Sequence, residues 1–163
     1  MSVQNIIKVV QELVDEHQAL VAIVDKKTAV IKANDMDGLS DLLMKERKQI
    51  QAITQLENKR MDAVDEFARS KQMENETKSI SDLFEWIEDK EEKVQLEQYI
   101  TALVEEIVKL RQMEELNKEL IEQSMAFIQV SLDMLTPSIH SMNYHEADMK
   151  KPIHRTSVFD SKA

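Results

Sequence analysis

At 163 residues the chain is long enough for one domain with a modest core, and one Gly and two Pro among common helix formers disfavour any sheet-rich fold. Cys is absent, which excludes a disulfide framework, a thiolate metal site and a cysteine nucleophile, and fits a reducing compartment. A formal net charge of -10 makes phosphate backbones and anionic lipid surfaces poor partners, so neither nucleic acid nor a membrane surface is expected to bind.

The N-terminus, MSVQNIIKVVQELVDEH, lacks a basic start followed by an uninterrupted apolar run, so it does not read as a signal peptide. No stretch approaches the roughly 18 to 20 apolar residues of a membrane span. A soluble, cytoplasmic protein without membrane insertion is expected.

Ile6, Val10, Leu13, His17, Leu20, Val24, Lys27 and Ile31 alternate spacings of four and three, which places them along one seam of a helix packed in coiled-coil fashion. The spacing predicts a first helix from about Val3 to about Lys32. Ala33 to Gly38 should end it, with Asn and Asp as caps and Gly38 free to adopt a left-handed conformation. Such a short connection makes the next helix antiparallel. The same rhythm continues through Leu39, Leu42, Glu46, Ile50, Ile53, Leu56, Arg60, Val64 and Phe67, a second helix of about 30 residues. Glu57 and Arg60 are three apart and should pair on its surface.

From Ala68 to Lys78 the apolar period disappears, as in a connection or a frayed helix end. Ser79-Ile80-Ser81-Asp82 then has the spacing of a helix N-terminus capped by Ser79. Leu83, Phe84, Trp86 and Ile87 form a compact apolar cluster, with Trp86 expected to close one end of the bundle. After Glu88 to Lys93 comes the longest helix, whose seam runs through Leu96, Ile100, Leu103, Ile107, Leu110, Glu114, Asn117, Ile121, Ser124, Ile128, Ser131 and Leu135.

The second half of this helix is unusual. The seam becomes more polar at Asn117, Ser124 and Ser131, while a second row of Met113, Leu120, Phe127 and Met134 becomes strong beside it. Leu116 to Leu135 therefore projects apolar residues in several directions, more than packing against one neighbour can cover. That surplus marks a partner-binding stretch, for which Leu116, Leu120, Ile121, Met125, Phe127, Ile128, Leu132, Met134 and Leu135 are the candidates. Thr136-Pro137 is expected to end the helix, because proline lacks the next hydrogen-bond donor and disfavours a helical residue before it. The remaining residues show no period and should be disordered in isolation. The expected architecture is all-α: an elongated antiparallel helical bundle or coiled-coil hairpin with a long C-terminal helix, a domain over residues 1–135 and a flexible tail over 136–163.

Converging catalytic groups are missing. His17 is the one histidine of the body and lies on a seam, where a hydrogen-bonded core residue is the ordinary reading. No Glu-x-x-His pair, nucleophile elbow, phosphate loop or HExxH motif occurs. His140, His145 and His154 have spacings that suit no preformed metal site. No enzyme, metal or cofactor is expected.

The order of these parts resembles the FlgN family of flagellar export chaperones. The first hairpin is similar in Glu16 and Leu20, Asp37-Gly38-Leu39, Leu42-Leu43 and Leu56-Glu57-Asn58-Lys59-Arg60. On the last long helix, Leu116-Asn117-Lys118-Glu119-Leu120-Ile121 looks like the family's asparagine-leucine segment. Ser157 to Ala163, SVFDSKA, looks like the ending of Bacillus-type members. The resemblance implies a cytoplasmic bundle that binds the hook-filament junction proteins FlgK and FlgL, keeps their aggregation-prone terminal segment covered and delivers them to the flagellar type III export apparatus. It places the client site in the C-terminal part, here Leu116 to Leu135, and a tyrosine beyond the last helix at the export gate protein FlhA, here Tyr144. Two alternatives stand beside it: a homo-oligomeric coiled-coil structural or adaptor protein, and a chaperone for another flagellar client such as the filament cap protein.

Overall fold

The computed structural model describes residues 3–73 and 79–149, with side chains through residue 136. It contains four helices and no strand among the described residues: α1, Val3–Lys32; α2, Met36–Ser70; α3, Ile80–Trp86; and α4, Lys90–Met149. The all-α expectation holds, and α1 has the bounds that its periodicity predicts. The chain divides into two compact units, Met1–Leu120 and Ile121–Ala163.

Within Met1–Leu120, α1 and α2 form an antiparallel hairpin. Their connection is shorter than the sequence suggests, because Asp35 serves both helices. Its N–H bonds the Val30 carbonyl at 3.0 Å while the Asn34 N–H bonds that of Ile31 at 3.2 Å, so two of the four carbonyls left free at the end of α1 are satisfied in a Schellman motif. Its carboxylate then accepts the Gly38 N–H at 2.9 Å, capping α2. The left-handed residue is Asn34, with φ 54°, and not Gly38, whose φ is not positive. Gly38 is needed for space instead: a Cβ there would approach the Asp35 carboxyl carbon to 2.8 Å.

The end of α2 repeats the device. Gln72 takes φ 61°, with its N–H on the Arg69 carbonyl and that of Met73 on Ala68, each at 3.0 Å. The loss of apolar period after Ala68 therefore marks a capped helix end. Residues 74–78 lie outside the described residues. Ser79 and Asp82 make the reciprocal capping box that their spacing predicts, and α3 buries Leu83 and Trp86, with Ile87 just after it. They join a core of Val3 to Val14 from α1, Ala63 to Ala68 from α2 and Leu96 and Leu103 from α4. Trp86 is thus a core residue, in line with the expected plug.

Asp89 opens α4 by accepting the N–H groups of Glu91 and Glu92 at 2.8 and 3.1 Å, and those two carboxylates suit the positive end of the helix dipole. α4 runs parallel to α1: Gln4 bonds Glu92 near their starts, and Lys27 and Thr28 bond Glu114 and Asn117.

Within Ile121–Ala163 the described element is the remainder of α4. The expected end at Thr136-Pro137 is not observed, since the helix continues to Met149. The Thr136 hydroxyl bonds the Leu132 carbonyl at 2.7 Å, and the missing proline donor costs the helix one backbone bond without breaking it. Residues 150–163, which hold His154 and the SVFDSKA ending, lie outside the described residues.

Candidate functional site

Two features of α4 stand out, a polar layer packed on the hairpin and an exposed apolar stretch. The polar layer is built from seam positions that carry polar or charged residues. Lys27 on α1 donates to Glu46 on α2 at 2.8 and 3.0 Å and to both carboxylate oxygens of Glu114 on α4 at 3.0 Å. Its side chain is 8% exposed, against 12% for Glu46 and 40% for Glu114. One helical turn on, Asn117 is buried; its Nδ2 donates to the Val24 carbonyl at 3.3 Å and its Oδ1 accepts the Thr28 hydroxyl at 2.5 Å. Three helices are therefore tied at one level by charge-assisted hydrogen bonds.

One cation facing two carboxylates sets their protonation. Burial works against the Lys27 ammonium, but hydrogen bonds to Glu46 and Glu114 outweigh it and hold its pKa above the ordinary lysine value. Burial and the hydrogen bond with Glu46 push Glu114 above the ordinary glutamate value. Burial also opposes ionisation of Glu46, yet its hydrogen bonds with Glu114 and Lys27 bring it below that value. Glu114 is accordingly the carboxylate that takes up a proton first. The sequence reading placed Lys27, Glu46, Glu114 and Asn117 on seams but saw in Asn117 only a weakened stripe. The legible signal was charge complementarity between seams, one Lys facing two Glu.

His17 is buried, and its Nδ1 bonds the Leu13 carbonyl at 2.7 Å, as a core histidine should. Arg60 pairs with Glu57 at 2.8 Å on the surface of α2, as their spacing predicts. Among the described residues no group of three or more His, Asp and Glu is placed to hold a metal ion. None of their helices is long and apolar enough to cross a membrane.

The nine partner-binding candidates lie on α4. Leu120 is half-buried and the others are exposed: Leu116, Ile121, Met125, Phe127, Ile128, Leu132, Met134 and Leu135, with Phe127 at 74% and Met134 at 75%. Every residue from 121 to 130 is exposed, so the seam members Ile121 and Ile128 face solvent too, though less than Phe127 and Met134. Within Met1–Leu120, α1 spans roughly 45 Å at about 1.5 Å per residue and reaches its last residue, Lys32, a few positions after the pairing of Thr28 with Asn117. Tyr144, expected in a tail, has helical backbone within α4; its side chain, like those of His140 and His145, lies outside the described residues.

Contiguous exposed apolar surface is a feature of protein interaction surfaces. Comparison with known proteins decides which class of interaction protein carries it. The family described as FlgN protein matches residues 1–151. The chain belongs to the FlgN family. A protein of Bacillus subtilis (strain 168), described as "Uncharacterized protein YvyG", is 34% identical over 166 residues, covering 100% of both chains, consistent with a Bacillus-type FlgN member. No solved structure matches. FlgN membership supports a flagellar export chaperone, and the family is one of chaperones rather than enzymes.

Proposed function

We propose that this FlgN-family chain acts in the cytoplasm on the hook-filament junction proteins FlgK and FlgL, covering their aggregation-prone terminal segment and delivering them to the type III export apparatus. The observation that carries this reading is the exposed apolar surface of α4 around Phe127, Ile128 and Met134. An amphipathic client helix laid along it would bury both partners' apolar faces. Fully burying one apolar side chain contributes roughly 1.5 to 3 kcal/mol, so four or five anchors offset the cost of ordering a client segment. The client pairs helix against helix, since α4 is the sole described element of its unit and supplies one wall of a groove rather than two.

Replacing Phe127 and Ile128 together with Asp is expected to abolish capture of purified FlgK and FlgL in a pull-down while leaving helical circular dichroism intact. Normal capture by that variant would remove this site. Tyr144 is the proposed contact with the export gate protein FlhA. A Tyr144→Ala chain should lose FlhA binding and keep its client, which separates the two sites.

The same exposed residues also favour a second reading, self-association into a homo-oligomer. Sedimentation of the purified chain separates the two, because an oligomer that buries Phe127 and Met134 leaves no face for a client. Affinity capture from flagellated cells separates the junction proteins from the filament cap protein as clients.

A further inference from the structure

The apolar pattern of α4 changes seam partway along the helix. From Leu96 to Leu103 the seam of α4 is apolar, and both of these leucines are buried. From Met113 the apolar row sits one residue earlier, through Met113, Leu116 and Leu120, turned about 100° from the line of Glu114 and Asn117. By apolar content alone, the part of α4 from Met113 on should rotate to put that row inward, since burying leucine is favourable and burying a carboxylate or amide costs free energy unless it is partnered. The molecule instead buries Asn117, 1% exposed, and leaves Leu116 43% exposed, with Met113 and Leu120 half-buried.

What reverses the preference is the facing surface of α1. Lys27 and Thr28 present an ammonium and a hydroxyl where an apolar row would meet them, and Glu114 and Asn117 satisfy both. Among the described residues no buried side-chain nitrogen or oxygen lacks a hydrogen-bond partner. Turning α4 by one residue would set Met113 and Leu116 against Lys27 and Thr28, leaving a buried cation short of its carboxylate. A polar residue at a seam position is the known means by which packed helices choose one register over another at the expense of stability.

We infer that Lys27, Thr28, Glu46, Glu114 and Asn117 are positioning residues: they fix the rotational setting of α4 on the hairpin and thereby hold Leu116 at the surface. That Leu116 is held there for a client rests on the proposed function; the register device itself does not.

The chain has no Cys, so a single introduced thiol reports its own accessibility. In the full chain, Leu116→Cys is labelled with an uncharged maleimide, alone and together with Lys27→Met and Thr28→Val; Val104→Cys, 52% exposed on the first half of α4, serves as the reference. With the α1 side of the layer made apolar, α4 should turn its apolar row inward from Met113 on, slowing labelling at 116 by about tenfold, while 104, on the half held by buried Leu96 and Leu103, and helicity stay unchanged. Labelling at 116 that is unchanged or faster in the folded variant would overturn the inference, since a layer that only adds stability would loosen α4. If the double substitution does not fold, Thr28→Val alone decides, with slowing of about twofold expected and unchanged or faster labelling counting against it. No client enters the measurement, so its failure is distinct from failure of client capture.

Discussion

Lys27 and Glu46 form a buried charge pair that Glu114 completes, and removing one partner of a buried pair leaves the other uncompensated. Lys27→Met leaves two carboxylates facing each other and is expected to cost about 3 to 5 kcal/mol in urea denaturation at neutral pH. Glu114→Gln should cost under about 1 kcal/mol, since the carboxylate is 40% exposed, and burial and the hydrogen bond with Glu46 oppose its ionisation. The pH dependence follows from the same directions. Lys27, raised in the folded state, contributes stability that is fully present below its unfolded pKa and is lost as pH rises through the folded one; Lys27→Met should remove that alkaline loss. Glu46, lowered, contributes stability lost as pH falls through its folded pKa, whereas the contribution of Glu114, raised, is lost as pH rises through its own. The two slopes oppose each other across the glutamate range, so Glu114→Gln should make stability climb more steeply with pH there than in the parent chain. At the α1–α2 connection, Gly38→Ala should change stability little, since a helix-propensity gain of about 1 kcal/mol is offset by losing the Asp35 cap, also worth about 1 kcal/mol. Once Asp35→Ala has already removed the cap, the same substitution should stabilise.

At the scale of the element, the caps of α1, α2 and α3 are local and were largely written in adjacent residues, while the course of α4 was not. Proline at position 137 costs a helix interior about 3 kcal/mol in isolation, which is why its presence predicts an end. The sequence on either side, MAFIQVSLDMLT before it and SIHSMNYHEADM after it, contains no Gly and continues helical to Met149. Pro137→Ala should therefore slow amide hydrogen exchange in the turns around residue 137 without moving the bounds of α4. A helix that ended at Leu135 in the parent chain would instead lengthen on substitution, as a rise in helical circular dichroism.

For the whole molecule, core and proposed client surface overlap only at Leu116 to Leu120. Among the described residues, the buried ones and the polar layer lie at or before Asn117. A chain ending at Leu120 should accordingly unfold cooperatively within about 1 kcal/mol of the full chain, since it retains all the buried residues among those described, and should fail to capture FlgK or FlgL. A chain so shortened that lost its cooperative transition would show that residues after Leu120 contribute to the core.

Periodicity in the sequence determined the helices of the hairpin, the capping box of Ser79 and Asp82, the burial of Trp86 and the all-α class, because each rests on contacts between residues near in sequence or on a repeat that only one face can satisfy. The same pattern marked Leu116 to Leu135 as too apolar for one neighbour. It did not reveal that Asn34 rather than Gly38 turns left-handed, because Asn tolerates that conformation nearly as readily. Nor did it decide which face of α4 packs on α1, since that depends on Lys27 and Glu46 arriving from two other helices at the level of Glu114. A seam read along one helix records what its residues would bury; only the surface brought against it decides whether a lysine, a glutamate and an asparagine are losses or partners.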